Sequence, residues 1–176
     1  MREMGLGSGV FLLAFATAAP AQAAWRPGVV ELGTTGDSGY LLRLTLISPK
    51  SYWLARSGAW SWVVTPEVML GRWWDRENNN ALWDVGATPV LAARRDYASG
   101  SLTLDAGIGV HLLSAVRFED NNLASAFQFG DHVGIEWRPA WGRWRIGYRF
   151  QHLSNASIAP PNDGVEFHIL RLGWRF

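Results

Sequence analysis

The chain has 176 residues and no cysteine, so a disulfide framework and a thiolate metal site are both excluded. Its net charge is only +1. Nucleic-acid binding needs a basic surface to neutralise phosphates, and this balance argues against it. A polar or anionic lipid headgroup stays open as a partner. Long apolar runs are also missing. Past the first residues, nothing approaches the roughly 20 unbroken apolar residues of a membrane helix. A membrane form of this chain therefore has to cross with strands, because only helices and closed barrels satisfy their backbone in hydrocarbon.

Tryptophan, in contrast, is plentiful. Eleven Trp in a chain this short is high for a soluble domain, and aromatic residues gather at membrane interfaces. The N-terminus reads as an export signal. Residues 10–19, VFLLAFATAA, form a short apolar core, and Ala21-Gln22-Ala23 has the small-x-small pattern of a cleavage site. A short apolar helix is the alternative reading. The leader departs from the usual pattern, since Arg2 is offset by Glu3. Cleavage after Ala23 gives a signal peptide over 1–23 and one domain over 24–176.

The rest of the chain alternates with period two, the mark of strands with two unlike faces. The strands are expected at 29–35, 39–48, 60–72, 82–93, 101–113, 126–138, 144–154 and 166–176, eight in all. Residues 49–58, 94–100 and 139–142 read as turns, and 75–80 and 118–123 as polar loops. Large apolar residues occupy one face of each strand, with Gly, Thr, Gln, Asp, Glu, Arg or His on the other. Alternation alone does not say which face is outside. Three features favour an eight-stranded antiparallel transmembrane β-barrel. The apolar runs are about ten residues long, enough to cross a bilayer at a tilt. Trp sits near strand ends. The chain ends an alternating strand on Phe176, which resembles the C-terminal signature of bacterial outer-membrane barrels. Glu67, Asp105, His111, Glu136, Arg145, Arg149 and Arg171 would then point inward as a buried network of charge pairs. Asp131 interrupts the apolar face of its strand with no reason visible in the sequence.

The last two strands break the pattern in a telling way. Trp144, Ile146, Tyr148, Phe150, His152 and Ser154 share one face. Glu166, His168, Leu170, Leu172, Trp174 and Phe176 share the matching face of the next strand. His152, Ser154 and Glu166 therefore lie with the apolar residues, where polar groups in lipid are costly. A serine, a histidine and a carboxylate within reach of one another make a nucleophile, its base and the group that orients the base. Asn155, beside the serine, is a candidate donor to an oxyanion. His-x-Ser alone is a weak signal, because Ser154 and Asn155 also suit the start of a turn. His168 reads either as a supporting partner or as an interfacial histidine.

The stretch Phe150-Gln151-His152-Leu153-Ser154-Asn155-Ala156, with Glu166 twelve residues after the serine, resembles the lipid A 3-O-deacylase (PagL-type) family of outer-membrane enzymes. The resemblance is motif-level in the C-terminal fifth and architectural elsewhere. It implies Ser154 as nucleophile, His152 as base, Glu166 as third member and Asn155 as oxyanion donor. It further implies metal-free and cofactor-free hydrolysis of the ester-linked 3-hydroxyacyl chain at position 3 of lipid A, in the bacterial outer membrane. Lipopolysaccharide and outer-membrane lipids are the expected partners, and a homodimer is compatible with them. The competing readings are a structural or adhesion barrel without activity, a different lipid enzyme such as an acyltransferase, and a soluble ligand-carrying barrel.

Overall fold

The computed structural model describes residues 26–174, with side chains from Gly28 onward. The expected signal peptide and the terminal Phe176 lie outside the described residues. The strands are β1 (Arg26–Thr34), β2 (Gly39–Ile47), β3 (Tyr52–Ser57), β4 (Trp60–Asp75), β5 (Ala81–Tyr97), β6 (Gly100–Leu113), β7 (Arg117–Phe118), β8 (Asn121–Asn122), β9 (Phe127–Pro139), β10 (Trp144–Ser154) and β11 (Val165–Trp174). Each of β1, β2, β4, β5, β6, β9, β10 and β11 pairs antiparallel with two neighbours in that group, and β2 pairs with β4 to close the ring. This is the eight-stranded antiparallel barrel that the alternation predicts.

Burial follows the pleat. Val30, Leu32, Leu42, Leu44, Leu170 and Leu172 are exposed on the outside, while Glu31, Arg43 and Arg171 on the same strands are buried within. A soluble barrel reverses that arrangement. An apolar outer band with a polar interior is the solution for a barrel in lipid. Aromatic residues mark both rims. Tyr40 stacks on Trp74 at the end where β10 finishes, and Tyr97–Trp137 and Trp141–Trp144 meet at the other.

The interior has two layers. In the middle, Arg171 donates to Glu31 at 2.7 Å and to Glu67 at 3.1 Å, and Arg149 reaches Glu67 at 3.0 Å and Asp105 at 2.9 Å. Arg43 bonds Glu31, and also Gln151 at 2.7 Å, while His111 pairs with Asp84 at 2.7 Å. Buried charges are tolerated where they are paired and hydrogen-bonded, and here the pairs tie strands from opposite sides of the ring. Above this layer sits an apolar plug of Leu41, Trp73, Leu82, Leu113, Phe118, Leu123, Leu153, Val165, Phe167 and Ile169. A barrel of eight strands is narrow enough for side chains to fill.

Two loop assignments need correction. The segment 118–123 is not simply polar: it carries the β7–β8 hairpin, and Phe118 and Leu123 are fully buried in the plug. Trp73 packs edge-on against both Phe118 and Phe167, at 5.3 and 4.8 Å. The segment 49–58 is not only a turn. Residues 52–57 form β3, which runs along β4 in the same direction as β2. β2 and β3 are thus one strand interrupted at 48–51. β3 is exposed on both faces, so it extends the wall past the barrel at the end away from Ser154.

Candidate active site

The inner side of β10 fixes what its outer side presents. Arg149 and Gln151 are held by the charge network, and Leu153 is locked in the plug. These three alternate with Phe150, His152 and Ser154. With the odd-numbered side chains clamped inside, the pleat turns the even-numbered ones outward. β11 behaves the same way: Val165, Phe167 and Ile169 are buried, and Glu166 and His168 are exposed.

His152 lies directly opposite Glu166 in the β10–β11 register. The His152 Nδ1 to Glu166 Oε1 distance is 3.7 Å, with side chains 35% and 63% exposed. That is an ion-pair distance, slightly longer than a hydrogen bond, and catalytic contacts often tighten only when substrate binds. Ser154 stands two residues along from His152 on the same face. Two residues of strand span roughly 7 Å, so the two side chains are neighbours on that face. Among the described residues the Ser154 hydroxyl has no hydrogen-bond partner, so it is available to an incoming group. The structure therefore brings His152 and Glu166 together, and sets Ser154 beside them on the outer wall.

Asn155, next to Ser154, faces inward. It is fully buried, and its side-chain amide donates to Leu123 O at 2.9 Å and Ala159 O at 2.7 Å. Both amide hydrogens are thus committed. Its backbone N–H donates to Asn162 Oδ1 at 2.8 Å. In this geometry Asn155 ties the loop after β10 to the loop that carries the plug residues, and an oxyanion could take its amide only by displacing a carbonyl. His168 bonds none of the three triad candidates. Its Nδ1 is 2.6 Å from the Tyr148 hydroxyl, and its ring lies 5.4 Å from Phe150. Asp131, unexplained by the sequence, pairs across β9–β10 with His152.

Gly164 lies against His152, a neighbour that alternation could not reveal. It has φ +69°, and a Cβ there would come within 2.9 Å of His152 Cε1. Only glycine takes that conformation without a steric penalty, and only glycine leaves room for the ring. A Gly beside a Val at the end of a loop was the available signal. Gly164→Ala is expected to push the imidazole aside and slow turnover by roughly 10- to 100-fold, since displacements of about 1 Å carry losses of that order. Turnover rates of the purified barrel on its substrate, beside its thermal unfolding curve, check this; an unchanged rate would remove Gly164 from the site. Among the described residues, no group of three or more His, Cys, Asp or Glu is placed to hold a metal ion.

Comparison with known proteins matches the chain to one family. A sequence model described as "Lipid A 3-O-deacylase (PagL)" matches residues 39–175. A lipid A deacylase PagL of Bordetella bronchiseptica is 33% identical over 172 residues, covering 96% of this chain and 94% of that protein. One from Pseudomonas aeruginosa is 32% identical over 150 residues, covering 79% and 80%. A crystal structure of the outer membrane enzyme PagL superposes with a TM-score of 0.73 at 28% identity, over 85% of this chain and 99% of that one.

Proposed function

Because this chain belongs to the lipid A 3-O-deacylase (PagL) family of outer-membrane hydrolases, we propose that Ser154, His152 and Glu166 are its nucleophile, base and orienting acid. The Ser154 hydroxyl attacks the ester carbonyl at position 3 of the lipid A glucosamine. His152 takes the serine proton as the C–O bond forms. The tetrahedral intermediate collapses, the sugar oxygen leaves, and His152 returns the proton to it. Water, deprotonated by His152, then attacks the acyl-serine. The 3-hydroxy fatty acid departs and Ser154 recovers its proton. Glu166 sits on the Nδ1 side of the ring, where it holds one tautomer and stabilises the imidazolium. Asn155 enters as the residue that holds the loop above the serine.

The observation that carries this reading is the cross-strand pair of His152 and Glu166, next to Ser154, on a wall that faces lipid. A water-soluble substrate has no reason to be met there. A lipid anchored in the same leaflet meets it directly. Mass spectrometry of lipid A from cells carrying the assembled protein is expected to show loss of one ester-linked 3-hydroxyacyl group. An unchanged mass would sink the enzymatic reading in favour of an inert barrel. Glu166→Ala is expected to lose less activity than changes at Ser154 or His152, because the base survives and only its orientation suffers. A loss equal to theirs contradicts that ranking. A homodimer remains part of this proposal only as an arrangement that leaves the β9–β11 face open to lipid.

A further inference from the structure

Asp131 is the one acidic side chain that the outer face of β9 carries among its phenylalanines and aliphatics. On that face it is flanked by Phe129 and Val133, with Ile108 opposite on β6 and His152 opposite on β10. It is exposed, and among the described residues it makes no hydrogen bond or ion pair. The nearby imidazole turns its Nδ1 to Glu166 instead. A carboxylate aimed at lipid without a partner is expensive to keep. Its placement points to a partner that comes with the substrate.

Depth decides which part of the substrate. Ser154 pairs with Phe129, and Asp131 lies two residues further down β9, away from the loop end of the barrel. The sugar lies at the loop end and the acyl chain runs down the wall. Asp131 is therefore on the acyl side of the reacting carbonyl. Diagonal cross-strand neighbours are about 7–8 Å apart, with their Cβ atoms somewhat closer. An ester carbonyl at Ser154 and a hydroxyl two carbons along its acyl chain fill that gap and bring the O–H to the carboxylate. Building on the serine-esterase reading above, we infer that Asp131 is a specificity-determining residue that accepts a hydrogen bond from the 3-hydroxyl of the scissile acyl chain. The ester group itself is left to Ser154 and His152.

Two synthetic glucosamine 3-O-esters, identical except for the 3-hydroxyl on the acyl chain, test this in mixed micelles with the purified full-length barrel. Wild-type protein is expected to favour the hydroxylated ester in kcat/KM by about tenfold, because an acceptor that the bound acyl chain covers is left unpaired by a substrate that lacks the donor. Asp131→Val is expected to lose this preference, slowing the hydroxylated ester more than the plain one until the two kcat/KM values meet. Valine on a lipid-facing strand position suits the fold. Asp131→Asn, which retains an acceptor oxygen, is expected to keep part of the preference. Equal kcat/KM for both esters with wild-type protein overturns the inference, as does an equal slowing of both by Asp131→Val, which places Asp131 behind His152 instead. A sugar-side role gives the same equal slowing. Release of neither fatty acid by the folded wild-type barrel removes the esterase reading and this inference with it; release without preference removes the inference alone.

Discussion

Ser154→Ala is expected to leave an intact barrel that releases no measurable fatty acid from lipid A. Removing the nucleophile of a triad lowers kcat on the order of 10⁴- to 10⁶-fold, and a 10⁴-fold loss is about 5.5 kcal/mol of transition-state stabilisation. The variant should still assemble. Ser154 faces outward at the end of β10 and its hydroxyl makes no hydrogen bond among the described residues, whereas the strand is held by Arg149, Gln151 and Leu153 on the inside. Replacing a lipid-facing hydroxyl by methyl leaves those contacts untouched. Lipid A mass spectra, with gel mobility of the heated and unheated protein as the folding control, give the answer. A folded Ser154→Ala barrel that still deacylates would reassign the nucleophile.

His152→Ala is expected to fall within about tenfold of the serine variant, because a serine without its base is a weak nucleophile. The double variant Ser154→Ala/His152→Ala is the sharper measurement. Groups that act as one unit are non-additive, and the second change should add almost nothing to the first. Losses that multiply would mean that the two side chains contribute separately, for instance with His152 only binding the lipid. Glu166 retains its position opposite residue 152 through the β10–β11 register, so a collapse of that pairing does not confuse the result.

Much of this was legible in the chain itself. Period-two alternation placed the barrel strands and put His152, Ser154 and Glu166 on the apolar side, because the pleat leaves no other choice once one face is known. The direction of that face followed from run length and tryptophan position. Pairing partners inside the barrel were not legible. Arg171 meets Glu31 and Glu67, residues 140 and 104 positions away, and such contacts depend on register, which local pattern does not encode. The β7–β8 segment was misleading for a related reason: Arg117, Glu119, Asp120 and two Asn make it polar on average, while Phe118 and Leu123 fold down into the plug. Residues 49–58 hid a strand because β3 is exposed on both faces and therefore lacks a clean alternation. Gly164 and Asp131 acquire meaning only when the neighbouring strand is known. The same holds for Asn155, whose turn-forming character was plain but whose amide also reaches the Leu123 carbonyl, 32 positions away in another loop.

With catalysis at Ser154 on the outer wall, as proposed above, substrate arrives from the leaflet and not from solution. Collisions occur by diffusion in two dimensions, and turnover tracks the mole fraction of uncleaved lipid in the surrounding leaflet. Diluting that lipid with inert amphiphile slows the reaction even when the total amount in the sample is constant, and crowding or stiffening of the leaflet acts as a brake that no soluble esterase would feel.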